Sequence, residues 1–176
     1  MLCKIRYYVK RETLYMIYYG IFSSLLFYGS QIWGQQNVIT KKLQILQNKA
    51  MRIIHFQPPR SSATPIFKFA NILKLNDLVN LQNVLLAHDS LNDKLPVSLR
   101  GKMDFVTHPY ETRNLEYLQL RRPRTKTVLY GSKSINSKSI DIWNFINKNC
   151  NLVDDLHKKS RAVCKSLVYE FFLSNY

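Results

Sequence analysis

Three groupings of residues have types and spacings that could do chemistry. The first is Arg121-Arg122-Pro123-Arg124-Thr125-Lys126, the densest part of a run in which Arg113, Arg121, Arg122, Arg124, Lys126, Lys133 and Lys138 are opposed only by Glu116. Guanidinium and ammonium groups interleaved with aromatics such as Tyr117 and Tyr130 are the means by which proteins neutralise phosphates and stack bases. The second is Asp154-Asp155 behind Leu152-Val153. Two-metal phosphoryl transfer uses such a pair on a hairpin tip, whereas here it opens an expected helix over residues 153–173 and is expected to complement that helix's positive end. The third is Cys150, His157 and Cys164, evenly spaced by seven. Along a helix that spacing spreads the ligands over ~20 Å, too far for one zinc ion held at ~2.3 Å.

The chain has no Gly-rich phosphate loop and no nucleophile elbow. His55, His88 and His108 are isolated and are expected at helix ends or on the surface. The pattern therefore predicts a binding protein, not an enzyme, with no catalytic residues, no metal and no cofactor. Lys+Arg number 26 against 11 Asp+Glu, a formal net charge of +15, which makes a polyanion the expected partner. Nucleic acid, as RNA–DNA hybrid or duplex DNA, is the first choice, and an anionic membrane surface the alternative. Three cysteines far apart in sequence supply no disulfide framework, which points to a nuclear or cytoplasmic compartment.

The elements that must position these groups start from residues 13–40, which carry no charged side chain. Leu14, Ile17, Tyr18, Ile21, Leu25 and Tyr28 fall on one helical face, and Met16, Tyr19, Phe22 and Leu26 make the rest of the cylinder apolar, so burial on several sides is expected. Gly29 and Gly34 bracket Trp33 in a packing corner, where the indole needs apolar cover and a partner for its N–H. Residues 14–33 also have the ~20-residue length of a membrane span, which gives the alternative of a small basic protein anchored there. Four tyrosines, three serines and Gln31 in that stretch favour a buried core helix, so a membrane role is the weaker reading.

A second helix is expected over residues 40–55, with Thr40 as N-cap and Leu43, Leu46, Ala50, Ile53 and Ile54 as its core stripe. Lys42, Lys49 and Arg52 lie together on its flank as phosphate-contacting candidates. Thr64-Pro65 opens a short helix through Phe67, Phe69 and Ile72, and Asn76 is expected to cap the next, which buries Leu78, Leu81, Val84, Leu85 and Leu91. Residues 115–120 and 125–132 read as short strands or extended arms. Helices return over residues 139–147, burying Ile140, Trp143 and Ile146, and over residues 153–173. The fold class is mainly α: a helical bundle over residues 1–98, then a basic region over residues 99–176 with short strands and two C-terminal helices.

In order along the chain, Leu25-Leu26-Phe27-Tyr28-Gly29-Ser30-Gln31-Ile32-Trp33-Gly34 and Leu43-Gln44-Ile45-Leu46-Gln47-Asn48-Lys49-Ala50-Met51-Arg52-Ile53-Ile54 resemble the segment just downstream of the palm in reverse transcriptases of non-LTR (LINE-type, jockey-like) retrotransposons. Ile72-Leu73-Lys74-Leu75, Leu95-Pro96, His108-Pro109-Tyr110-Glu111-Thr112-Arg113, Leu120-Arg121-Arg122-Pro123-Arg124-Thr125 and Ile142-Trp143-Asn144 are similar to that family's C-terminal region. The resemblance implies a thumb-like bundle and a C-terminal region that together grip the template-primer duplex. It also implies that the catalytic aspartates lie upstream, so that this chain is a non-catalytic fragment of an RNA-directed DNA polymerase.

Overall fold

The computed structural model of the protein describes residues 2–107, 119–149 and 156–176. The chain is mainly helical, and among the described residues the only β-pairing is an isolated antiparallel bridge between Phe105 and Leu120. The α-helices are α1 (Leu2–Ile5), α2 (Arg11–Ile17), α3 (Ser24–Phe27), α4 (Ser30–Trp33), α5 (Asn37–Ile54), α6 (Thr64–Phe69), α7 (Leu75–Leu91), α8 (Ile135–Asn149) and α9 (Arg161–Ser174). Contacts divide the chain into two compact units: Met1–Val79 with Phe172–Tyr176, and Asn80–Phe171.

In the first unit, α2 runs through a π-helical turn at Tyr18–Ser23 into α3. The π turn falls at Gly20, a poor helix former, and Ser24 Oγ donates to the carbonyls of Gly20 and Ile21 at 2.7 and 3.0 Å. One extra residue per turn rotates everything that follows. The buried line therefore runs Leu14, Tyr18, Ser23, Leu26, while Ile21, Leu25 and Tyr28, expected on the same face, are turned outward. Met16 and Leu25 are 73% and 69% exposed, so burial on several sides is not what the segment does. Among the described residues, no helix is long and apolar enough to cross a membrane.

The corner forms at the expected glycines. Tyr28 ends α3 in an extended conformation, Gly29 turns left-handed at φ 61°, and Trp33 Nε1–H donates to the Tyr28 carbonyl at 2.8 Å. Gly34 is required for space, since a Cβ there would stand 2.2 Å from the Ser30 carbonyl and 2.7 Å from both Val79 methyls.

Helix α5 begins three residues before its expected start. Gln36 occupies the N-cap position without a side-chain cap, and Thr40 lies inside the helix with its hydroxyl bonded back to the Gln36 and Asn37 carbonyls. Its buried stripe is Thr40, Gln47, Ala50, Met51 and Ile54, and Leu46 is half-exposed. Gln47 displaces Leu46 because the α6–α7 connection brings polar backbone against the helix. Gln47 Nε2 donates to the Leu73 carbonyl and to Tyr18 Oη, both at 3.1 Å, and its Oε1 accepts from the Leu75 N–H at 2.9 Å. The first turn of α7 is thus satisfied by Gln47, by Gln44 Oε1 at 2.8 Å, and by Tyr176 Oη accepting from the Lys74 N–H at 2.7 Å. Asn76 is exposed and lies within α7, so it is not the cap. Leu14, Tyr18, Ala50, Met51, Ile54, Ala63, Ile66, Phe67 and Ile72 form the core cluster; α6 ends at Phe69, which is exposed, so Ile72 lies beyond the helix expected to include it.

In the second unit, α8 buries Ile140, Trp143 and Ile146 as its periodicity predicts. Helix α9 starts at Arg161, where the Ser160 carbonyl accepts from the Cys164 N–H at 2.9 Å and Ser160 Oγ from the Val163 N–H at 3.4 Å. Its first turn holds no acidic residue, so the dipole role expected of Asp154-Asp155 does not apply to it; that pair and Cys150 lie outside the described residues. Val128–Ser132, expected to be extended, closes instead into a π-helical turn. Local backbone bonds hold the turn: Ser132 N–H to Thr127 O at 3.1 Å and Lys133 N–H to Val128 O at 3.0 Å.

Candidate nucleic-acid interface

The basic arm of the second unit is built outward from Leu120, which is 1% exposed. Asn144 on α8 clasps that residue's backbone on both sides, Oδ1 accepting from its N–H at 2.8 Å and Nδ2 donating to its carbonyl at 3.0 Å. The bridge to Phe105 adds two bonds, Val106 N–H to Gln119 O at 2.9 Å and Arg121 N–H to Asp104 O at 2.8 Å. From this anchor residues 121–128 leave the core, every one of them exposed. The far end is held too: Gly131 packs so closely on Thr125 that a Cβ would sit 2.5 Å from its Cβ, and Ser137 Oγ donates to the Gly131 carbonyl at 3.0 Å. Pro123 fixes one backbone torsion between the anchors. The result is an extended strap of cations pinned at both ends, which limits the entropy lost when a ligand orders it.

The cations on the strap differ in availability. Arg122 is engaged by Asp141 through a two-point contact, Nε to Oδ1 and Nη2 to Oδ2, each 3.2 Å. Arg121, Arg124 and Lys126 are exposed and form no ion pair among the described residues. Arg113 lies outside the described residues. Asn144 is the positioning residue that sequence reasoning missed; a polar residue beside a buried tryptophan carries no signal for it.

Lys42, Lys49 and Arg52 belong to the first unit, on α5. Lys42 and Lys49 are exposed, while Arg52 is half-buried with Nε donating to the Ser61 carbonyl at 2.8 Å. Lys49 and Arg52 open onto a cleft of about 660 Å³ whose wall includes Arg6, Tyr7 and Phe56, none of them a sequence candidate. The Arg6 guanidinium lies 4.5 Å from the Tyr7 ring centre and 5.5 Å from that of Phe56, and the two rings meet edge to face at 6.3 Å. Phe56 stands just past the end of α5 at φ 56°, a left-handed position usually filled by glycine or asparagine. Asn71 and Asp93 occupy the corresponding positions after α6 and α7, residue types that adopt this conformation readily.

His55, His88 and Cys164 have structural surroundings. His88 lies in the last turn of α7, at a helix end as expected, but is fully buried there, with Nε2 donating to the Lys159 carbonyl at 2.9 Å. Asn92 Nδ2 donates to the His88 and His157 carbonyls, and Asp89 pairs with Arg161 at 2.9 Å. Burial and the neighbouring Asp89 push the Cys164 thiol up to about 11, so it is held as an unreactive thiol. Tyr15 Oη and His55 Nε2 are hydrogen-bonded at 2.6 Å; burial, with a smaller push from Arg11, lowers the His55 pKa. Among the described residues no group of three or more His, Cys, Asp or Glu is placed to hold a metal ion.

No family model, no curated protein and no solved structure matches this chain.

Proposed function

We propose that the chain is a nucleic-acid-binding piece of a retrotransposon reverse transcriptase, a thumb-like helical region and a basic C-terminal region that grip a template-primer or target duplex without doing chemistry. The observation that carries this reading is the strap over residues 121–127: exposed throughout, held at both ends, and presenting Arg121, Arg124 and Lys126 free of ion pairs among the described residues. A solubilising loop needs charge but no anchoring; a surface that tracks a phosphate backbone needs both. The family assignment rests on the ordered motifs of the sequence, and a nuclear or cytoplasmic site of action on the three cysteines far apart in sequence.

The test is fluorescence anisotropy on a labelled duplex between about 50 and 200 mM salt, a window that spans several decades of affinity for a protein making six or more phosphate contacts. Each phosphate neutralised on B-form DNA contributes about 0.9 to the slope of log affinity against log salt. Replacing Arg121, Arg122, Arg124 and Lys126 by alanine should flatten that slope by about three units, since Arg122 is held by Asp141. Arg124→Ala alone should weaken binding more than Arg122→Ala, and neither should change sequence preference. An unaltered slope in the quadruple variant removes the strap from the interface.

A further inference from the structure

We propose that the cleft bounded by Arg6, Tyr7, Lys49, Arg52 and Phe56 is a site for one unpaired nucleotide of a single strand, the base against the Tyr7 and Phe56 rings and the phosphate among the three cations. This deepens the nucleic-acid reading for Lys49 and Arg52 and does not depend on the strap.

Three observations converge on it. The volume of about 660 Å³ lies within the range of small-ligand sites, about 300–1,000 Å³. Its charges are of one sign, with Arg6, Lys49 and Arg52 on the wall and no carboxylate among the lining residues. Arg52 keeps Nη1 and Nη2 for a ligand, because only its Nε is spent on Ser61. Flat aromatic faces beside a cluster of cations are the surface on which bases stack while their phosphates are neutralised.

The third observation is Phe56 itself. A bulky residue in the left-handed region is strained where asparagine or glycine would not be, and this ring is 46% exposed, so it is not placed there to fill the core. The strained backbone instead holds the ring over the cleft beside Tyr7, which is 70% exposed, with the Arg6 guanidinium against both rings.

An adjoining apolar cavity of about 340 Å³ shares Cys3, Lys49 and Ile53 with the cleft and would suit an acyl chain. The cleft favours the nucleotide over an anionic amphiphile, because a single carboxylate head would leave two of the three cations and both flat rings unused.

The probe is a 5′-phosphorylated trinucleotide with 2-aminopurine in the middle, whose emission falls when the base stacks. Binding to the full chain should quench it, and the trinucleotide with an abasic middle residue, of equal charge, should bind about tenfold more weakly. Phe56→Asn should raise the thermal midpoint by relieving the backbone and still weaken the base-bearing probe about tenfold, a combination that a purely structural role for Phe56 does not produce. Arg6→Ala with Lys49→Ala should weaken both probes and reduce their salt dependence. The quadruple strap variant should bind the trinucleotide as the parent chain does, which keeps failure of this site distinct from failure of the strap. Equal affinity for abasic and base-bearing probes, or unchanged binding in Phe56→Asn, overturns the proposal. So does displacement of the probe by decanoate at a lower concentration than by unlabelled trinucleotide.

Discussion

At the scale of single residues, Gln47 is where the first unit converges: its amide joins Tyr18, the Leu73 carbonyl and the Leu75 N–H from inside the core. Gln47→Leu keeps the volume but strands the Leu73 carbonyl, since Leu75 alone retains a second partner in Gln44. A loss of about 2–3 kcal/mol in urea unfolding is expected, the cost of leaving buried polar groups unpaired. His55 gives a second residue-scale expectation. Its Nε2 is hydrogen-bonded to Tyr15 Oη, and its folded pKa lies below the ordinary 6.5, chiefly through burial. A base with a lowered folded pKa binds fewer protons folded than unfolded. Its contribution is therefore complete above about 6.5 and is lost as pH falls through the folded value. Asp77 acts with the opposite sign: burial raises its carboxyl pKa against the Tyr176 bond and Lys74, so stability rises as pH falls through that raised value. Thermal midpoints taken from pH 7.5 downward should therefore drop first in the parent chain, and His55→Gln should flatten the drop while Asp77→Asn leaves it in place. A drop that survives in His55→Gln assigns it to another group.

Among the elements, the corner between α3 and α4 shows how far the chain could be read from its residues and where reading stopped. Two glycines around a tryptophan announced a turn needing an indole partner, and the turn is there with Tyr28 O as that partner. The two glycines do different jobs, which gives an ordered expectation. Gly29→Ala pays for a left-handed backbone, about 1 kcal/mol, whereas Gly34→Ala drives a methyl into the Ser30 carbonyl and Val79 and should cost about 2–3 kcal/mol. Equal losses in chemical denaturation would show that Val79 gives way. The helices of α5, α7 and α8 were legible because their apolar spacing is long and regular. The outward rotation of Ile21 and Leu25 was not, because hydrophobicity records which side chains are apolar and not that a π turn at Gly20 shifts them by one position. Leu46 lost its place to Gln47 for a related reason: the demand comes from Leu73 and Leu75, whose backbone groups have no signature in α5. The cationic strap could be recognised by composition, yet its anchoring by Asn144 and the cleft formed by Arg6, Tyr7 and Phe56 depend on residues brought together from distant parts of the sequence.

For the whole molecule, the formal charge of +15 and the exposed apolar side chains on either side of the π turn pull in opposite directions. Met16, Ile21, Leu25, Tyr28 and Ile32 are each more than half exposed, a larger apolar display than a monomeric surface normally carries within one short stretch. Like charge keeps copies apart at low ionic strength, but the screening length shrinks from about 30 Å at 0.01 M to about 8 Å at 0.15 M salt. Attraction between apolar surfaces is not screened and strengthens with excluded salts such as sulfate. The weight-average mass from sedimentation should therefore rise as salt rises, and Ile21→Lys with Leu25→Lys should abolish the rise by placing charge on the outward face without touching the buried line of Leu14, Tyr18, Ser23 and Leu26. The nucleic-acid binding proposed for the strap should respond to salt in the reverse direction, because phosphate contacts release counterions and weaken as salt rises. The two effects are thus separable in one titration: the double variant should lose salt-driven association and keep the full salt slope for duplex, whereas the strap variant should do the opposite. A mass that stays constant with salt in the parent chain would mean that these side chains do not drive association, and the outward face would then be no more than scattered apolar surface.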